Sequence, residues 1–260
     1  MAPPASHAHI ELEGVHKAFD RPVLRGVDLR VAEGTTCVLL GKSGSGKTVL
    51  LKTVIGLLKP DQGRVWVDGD EVGALSAPGL TLMHAKLGIL FQAGALFDSL
   101  SVFDNVAFPL RERTRAGPAE VRRRVRAALD SMGLGAVERL FPAELSGGMK
   151  KRVAFARALV LEPRIVLYDE PTAGLDPPTT ARVADLIVDA KKRLGLTALA
   201  TIYDVPTAFR VADRLALLDE GRIVAEGTPD EVRLSAHPAV RAFLHRWLER
   251  EAERAPAGGG

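Results

Sequence analysis

Two stretches of the sequence carry residue types that do chemistry on phosphate. The first is GKSGSGKT, Gly41 to Thr48, which matches the pattern G-x-x-x-x-G-K-[ST]. Gly41, Gly44 and Gly46, with Ser43 and Ser45 between them, let successive backbone N–H groups turn inward on phosphate oxygens. Lys47 is then placed to neutralise the β- and γ-phosphates of a nucleotide, and Thr48 to put its hydroxyl on Mg²⁺. The second stretch is VLYDEP, in which Asp169 and Glu170 close an apolar run. Asp169 can hold Mg²⁺ directly or through water. Glu170 can orient and deprotonate an attacking water. A lone Asp-Glu pair is weak evidence, but one that ends a buried strand downstream of a phosphate loop is far stronger.

The surrounding pattern supplies the elements these residues need. Thr36 to Leu40 is a short continuous apolar run, as a buried parallel strand shows. After the loop, Val49, Leu50, Thr53, Val54 and Leu57 recur at helical spacing, and the turn residues Lys59 to Gly63 end that helix. The helix places its positive N-terminal end at the loop. Ile10, Leu12, Val27, Leu29 and Val31 alternate with polar residues, the period of half-buried strands. Leu87 to Phe91, Ile165 to Tyr168 and Thr197 to Ile202 read as further strands. Helices are expected from Pro118, from Gly148 to about Leu161, and from about Thr180 to Leu194. Strands alternating with helices imply a parallel sheet covered on both faces. Asp219-Glu220-Gly221 between two apolar runs signals a hairpin, and a last helix follows Pro238.

Composition bounds the rest. The chain has 260 residues, 47% hydrophobic and 26% charged, with a formal net charge of +3. That is an ordinary globular protein, and its charge is not concentrated as in a nucleic-acid binder. The single cysteine, Cys37, excludes an intramolecular disulfide and sits in an apolar run as a small core residue. No apolar stretch approaches the ~18 residues of a membrane span. The start, MAPPASHAH, lacks the regions of a signal peptide. The expected location is therefore cytoplasmic. The six histidines show no metal-ligand spacing, and Trp66 on an alternating strand reads as packing. The run Arg122-Arg123-Arg124 with Arg126 reads as a solvated helix face.

A third motif, LSGGMKKRVAFARAL at Leu145 to Leu159, resembles the signature of ABC ATPases. With the two phosphate motifs it covers essentially the whole chain. The resemblance implies an α/β P-loop NTPase with a RecA-like parallel-sheet core, an antiparallel β subdomain and a helical subdomain. It implies ATP and Mg²⁺ as cofactors and a head-to-tail dimer of two copies with ATP sandwiched between them. The backbone of Ser146, Gly147 and Gly148 would face the γ-phosphate bound by the other copy. Phe19 lies where the family keeps an aromatic that stacks on adenine, although a core Phe at a strand end is an equal reading. Gln92 matches the glutamine that senses Mg²⁺ and water and contacts the transmembrane partner, and Asp176 the interface aspartate. The expected organisation is a loose tail at 1–8, a core with β subdomain at 9–93 and 154–237, a helical subdomain at 94–153, and a C-terminal helix and disordered tail at 238–260.

Met149-Lys150-Lys151-Arg152, FQAGALFDSLSVFDNVAFPL, DVPTAF and HPAVRAFL look like the ATPase subunit of Mla-type phospholipid transporters. That likeness implies permease subunits, an MCE-domain lipid-binding protein, and a peripheral place on the cytoplasmic face of the inner membrane. One departure stands out. Where the family usually has histidine, TIYDVP has Tyr203. A tyrosine hydroxyl is neutral near pH 7 and donates a single hydrogen bond. A tolerated variant with slower turnover, a degenerate site and an introduced substitution are all open. Slower turnover with intact nucleotide binding is the reading adopted. The alternatives are a subunit with weak or no hydrolysis, an ABC ATPase for another substrate, and a DNA-repair or chromosome-type ATPase.

Overall fold

The computed structural model describes residues 8–92 and 94–254. The tail expected at the N-terminus, up to residue 7, and the terminal PAGGG lie outside the described residues. In chain order the elements begin β1 (Ala8–Ala18), β2 (Pro22–Ala32), β3 (Thr36–Leu40), α1 (Lys47–Val54), β4 (Gln62–Val67), β5 (Asp70–Glu71), α2 (Ala77–Ala85) and β6 (Leu87–Leu90). There follow α3 (Val102–Arg113), α4 (Pro118–Ser131), α5 (Gly147–Leu159), β7 (Ile165–Asp169), α6 (Pro177–Leu194) and β8 (Thr197–Thr201). The chain closes with α7 (Val205–Val211), β9 (Arg214–Asp219), β10 (Arg222–Gly227), α8 (Pro229–Leu234) and α9 (Pro238–Arg254). The described elements form two compact units, one of residues 8–73 with 201–254 and one within residues 74–200.

The first unit contains an antiparallel sheet of order β2-β1-β4-β5. Ile10, Leu12 and Val15 of β1 pair with Val31, Leu29 and Val27 of β2, and all six are buried. Their alternation places one face of the sheet in the core, as the period of two requires. β3 is buried at every position and runs parallel to β9, with Val38 opposite Leu215 and Leu40 opposite Leu217. β9 turns through Glu220 and Gly221, both at positive φ, into antiparallel β10. The segment after β8 rejoins β3, where the Ile202 N–H reaches the Leu39 carbonyl at 3.5 Å. Helix α1 ends earlier than the apolar spacing implied. Gly56 takes φ 71°, and the N–H groups of Leu57 and Leu58 fold back on the Lys52 carbonyl. The chain therefore stops at the first residue that can turn left-handed, before Lys59 and Pro60 are reached.

In the second unit β6 runs parallel to β7, with Leu87 opposite Ile165 and Leu90 opposite Tyr168, and β8 lies on the other side of β7. Helix α5 packs on this pair. A Cβ at Gly88 would lie 2.6 Å from the Ala158 carbonyl oxygen, so only glycine permits the approach. The buried rings of Phe155 on α5 and Tyr168 on β7 meet at 5.3 Å between centroids. Helix α4 turns Val121, Val125 and Leu129 inward, an apolar stripe at helical spacing. Pro118 opens α4, while Ser101 caps α3 and accepts from the Asp104 N–H. Among the described residues no helix is long and apolar enough to cross a membrane.

Candidate functional site

The loop Gly41 to Thr48 lies in the first unit, between β3 and α1. Gly41 has no room for a side chain, because a Cβ would meet the Leu218 carbonyl oxygen at 2.4 Å and the Ser45 Oγ at 2.6 Å. Gly44 and Gly46 take φ 79° and 108°, and Gly46 caps α1. Ser43 and Lys42 are exposed, and Thr48 is half-buried in the first turn of the helix. The Lys47 ammonium, buried, donates to the carbonyls of Gly41 at 2.8 Å and Lys42 at 3.1 Å. Its stem is thus curled along the inside of the loop. The Ser45 Oγ is buried and has no hydrogen-bond partner. A cation, an orphaned hydroxyl and a helix N-terminus gathered by a glycine-rich turn form a cradle that suits phosphate oxygens.

Two more candidates belong to this unit. Phe19 is exposed at the β1–β2 turn, with the Lys17 ammonium 5.7 Å from its ring centroid. Its ring is open to solvent, which does not fit the alternative of a core phenylalanine. Tyr203 follows Ile202 directly and is 63% exposed. Asp204 beside it caps α7, accepting from the Thr207 N–H at 3.0 Å.

The carboxylates lie in the second unit at the end of β7. Asp169 is buried, and Glu170 is half-buried with φ 46°. Oxygen donors of this kind suit a hard divalent cation such as Mg²⁺. Gln92 is exposed just past β6. The segment that follows it is tied down by three side chains that the sequence reading gave no role. The Lys151 ammonium donates to the Gln92 carbonyl. Arg157 donates to the carbonyls of Gly94 at 2.7 Å and Ala95 at 2.8 Å. Asn105, fully buried, accepts from the Phe97 N–H at 2.8 Å and donates to the Phe97, Leu100 and Ser101 carbonyls. Burial lowers the pKa of both Lys151 and Arg157, and for Lys151 the charges of Asp169 and Glu170 act against that shift.

Ser146 caps α5, accepting from the Met149 N–H at 3.3 Å, and Asp176 caps α6, accepting from the Thr179 N–H at 3.2 Å. Hydrogen bonds from Thr179, first its hydroxyl and then its N–H, hold the Asp176 carboxyl below the usual range. Ser146, Gly147, Gly148, Asp176 and Thr179 line a cleft of about 270 Å³ together with Arg152 and Arg182. Two helix N-termini and two guanidinium groups therefore share one concavity. The Nε of Arg152 is buried without a partner. Sequence reasoning gave Arg182 no place and quoted Arg152 only within the run Met149 to Arg152, because nothing local marks either as lining a cleft.

The family model described as ABC transporter matches residues 24–173. The chain belongs to the ABC transporter ATP-binding family. It is an ATPase and the ATP-binding subunit of an ABC transporter, and the DNA-repair or chromosome-type alternative falls away. It is 43% identical over 237 residues to the "Probable ribonucleotide transport ATP-binding protein mkl" of Mycobacterium leprae (strain TN), covering 91% of this chain and 68% of that protein. It is 43% identical over 257 residues to the methionine import ATP-binding protein MetN of Caulobacter vibrioides, covering 96% of this chain and 76% of MetN. The intermembrane phospholipid transport system ATP-binding protein MlaF of Escherichia coli K12 is 38% identical over 225 residues, covering 86% of this chain and 84% of MlaF. Among solved structures, a dimeric bacterial ABC transporter cassette matches with TM-score 0.79 and 31% identity, over 85% of this chain and 98% of that one. A dimeric post-hydrolysis cassette bound to ADP and Pi matches with TM-score 0.78 and 30% identity, again over 85% and 98%. The α/β P-loop fold of ABC ATPase type is borne out.

Proposed function

We propose that this ABC ATPase powers the movement of phospholipid between membranes. The observation that carries this reading is the likeness to MlaF over 84% of that protein's length. The sequence stretches from Phe91 to Leu110 and around Met149 to Arg152 point the same way. MetN and mkl are named for methionine and ribonucleotides, so cargo is the point to test. Two copies of the chain would form a head-to-tail dimer. The permease would engage the surface near Gln92, where the exposed rings of Phe97 and Phe108 meet at 5.0 Å. An MCE-domain protein would receive or deliver the lipid, and the permease would hold the ATPase on the cytoplasmic face of the inner membrane.

In this reading Phe19 stacks on adenine, and the loop Gly41 to Thr48 binds the phosphates, with Lys47 neutralising their charge. Thr48, Gln92 and Asp169 would hold Mg²⁺, which when bound offsets the charge of the phosphate oxygens. Glu170 takes a proton from the attacking water. A bond forms from that water oxygen to the γ-phosphorus as the bond to the bridging oxygen breaks, leaving ADP and inorganic phosphate. Ser146, Gly147 and Gly148 donate backbone N–H groups to the γ-phosphate held by the other copy, and Asp176 stands at the same interface. Tyr203 completes the γ-phosphate environment in place of histidine, with one hydrogen bond.

The decisive experiment purifies the complex through this subunit and identifies its permease and bound small molecules by mass spectrometry. Phospholipid with an MCE-domain protein is the expected result. Methionine or nucleotide bound in place of lipid would overturn the cargo assignment and leave the ATPase intact.

A further inference from the structure

Lysine is among the side chains least often buried, yet Lys151 is 7% exposed. It lies in the second turn of α5, the helix that begins at the signature residues Ser146 to Gly148. Its ammonium donates to the main-chain carbonyl of Gln92, 59 positions away in the chain. Gln92 stands beyond the last residue of β6, Leu90. The β6–β7 pairing ends at Leu90, so the Gln92 carbonyl lies past the ladder, and Lys151 supplies it with a donor. Burial makes the charged lysine costly, as the lowered pKa records, and the carboxylates of Asp169 and Glu170 offset part of that cost. An unbranched apolar side chain of similar length would fill the same space without the penalty. Arg157, further along the same helix, holds the carbonyls of Gly94 and Ala95. Ala95 is kept at φ 45°, a conformation that a non-glycine residue adopts only under constraint. Cations from a single helix thus fasten the main chain on and just after the glutamine.

We propose that Lys151 is a positioning residue for ATP hydrolysis: it ties the main chain at Gln92 to the signature helix and so fixes where the Gln92 amide stands during the reaction. This rests on the role proposed for Gln92. It assigns to Lys151 no contact with nucleotide, and its effect falls on turnover rather than on affinity. Arg157 supports the same segment from the far side of Gly94.

The test uses the full chain and compares Lys151→Met, Lys151→Arg, Gln92→Ala and the double variant Lys151→Met with Gln92→Ala. Lys151→Met is expected to lower kcat about tenfold to a hundredfold, the scale of an ångström-sized misplacement, and to leave KM for ATP within about twofold. Lys151→Arg, which keeps a cationic donor, restores most of the rate. The double variant is no slower than Gln92→Ala, because both changes remove one function. Hydrogen exchange of the peptide spanning residues 90–96 rises in nucleotide-free Lys151→Met. Lys151→Gln, neutral and shorter, is measured beside it and should show the same loss, so a folding defect peculiar to methionine does not decide the matter. If Gln92→Ala is slow while both neutral Lys151 variants hydrolyse at the parent rate, Lys151 has no such role. If the two losses multiply in the double variant, Lys151 does not act through Gln92. If Gln92→Ala hydrolyses at the parent rate, the Gln92 assignment fails and this proposal fails with it.

Discussion

Asn105→Ala should loosen the segment after Gln92 by an amount that follows from its hydrogen bonds. The Asn105 side chain is fully buried and meets four backbone groups, at Phe97 N, Phe97 O, Leu100 O and Ser101 O. Not all four are orphaned by the change. The Ser101 carbonyl still accepts from the Asn105 N–H at 2.9 Å, and the Phe97 carbonyl from the Leu100 N–H at 3.1 Å. The loss therefore concentrates on the Phe97 N–H and the Leu100 carbonyl. An orphaned buried group costs about 1–3 kcal/mol, and the exposure of Phe97 lets water recover part of this. About 2 kcal/mol results, equivalent to roughly thirtyfold in local opening. The assay is amide hydrogen exchange at Phe97, because two compact units make one global unfolding energy an uncertain measure. Exchange there should quicken by roughly thirtyfold, an order of magnitude set by the same cost. Asn105→Asp should be worse, since a carboxylate would face three carbonyl oxygens and donate nothing. Unchanged protection at Phe97 in Asn105→Ala would refute the account.

Three further outcomes are expected. Glu170→Gln should keep ATP binding but stop turnover and accumulate a dimer with MgATP, seen by size-exclusion chromatography; parent-like hydrolysis would remove Glu170 as the base. Tyr203→His should raise kcat on the order of 10²-fold in the assembled transporter, with nucleotide affinity within a few-fold; an unchanged rate would make the two side chains equivalent there. Burial pushes the Cys37 thiol up to about 12 from its ordinary value of 9.0. The unfolded chain therefore loses its proton first, and Cys37 opposes folding progressively as pH rises from about 9 towards about 12. Comparing urea midpoints of the parent and Cys37→Ala at pH 8 and pH 10 checks this: the parent should lose more, and parallel losses would contradict it.

What could be read from the sequence was what is local. Loop Gly41 to Thr48 needs glycine where its own backbone turns, so the requirement is written at those positions. The runs that became β3 and β7 are buried at every position, and continuous apolar sequence reports that directly. The end of α1 was misplaced because the later Lys-Pro-Asp-Gln-Gly cluster reads as the stop, whereas the chain turns out of the helix at Gly56. The short helices α2, α7 and α8 carried too few turns for periodicity to declare them. The fastening of the Gln92 segment was invisible for a different reason. Lys151 and Arg157 lie 59 to 63 positions from the carbonyls they hold, and only the packing of α5 on β6 and β7 brings them there. Met149-Lys150-Lys151-Arg152 was noted as a family variant, yet its pattern does not say which lysine turns inward.

Glu170 shows where stability and chemistry part. Its φ of 46° lies in the left-handed region, while Asp169 before it is the last residue of an extended strand. For an ordinary side chain that conformation costs about 1 kcal/mol or more, and asparagine bears it best among residues with a Cβ. If stability alone set this position, asparagine would serve better than glutamate. Glu170→Asn should therefore fold at least as firmly as the parent, with a gain of up to about 1 kcal/mol, because it relieves the backbone without the entropy cost that glycine brings. The same change removes the candidate base and leaves an amide that cannot take a proton from water. Paired measurements of thermal midpoint and ATP turnover decide the point: a midpoint equal or higher with hydrolysis lost is the expected pair. A clearly lower midpoint would mean that the Glu170 carboxylate stabilises the folded chain by more than its backbone costs, and the strain would then be no mark of function.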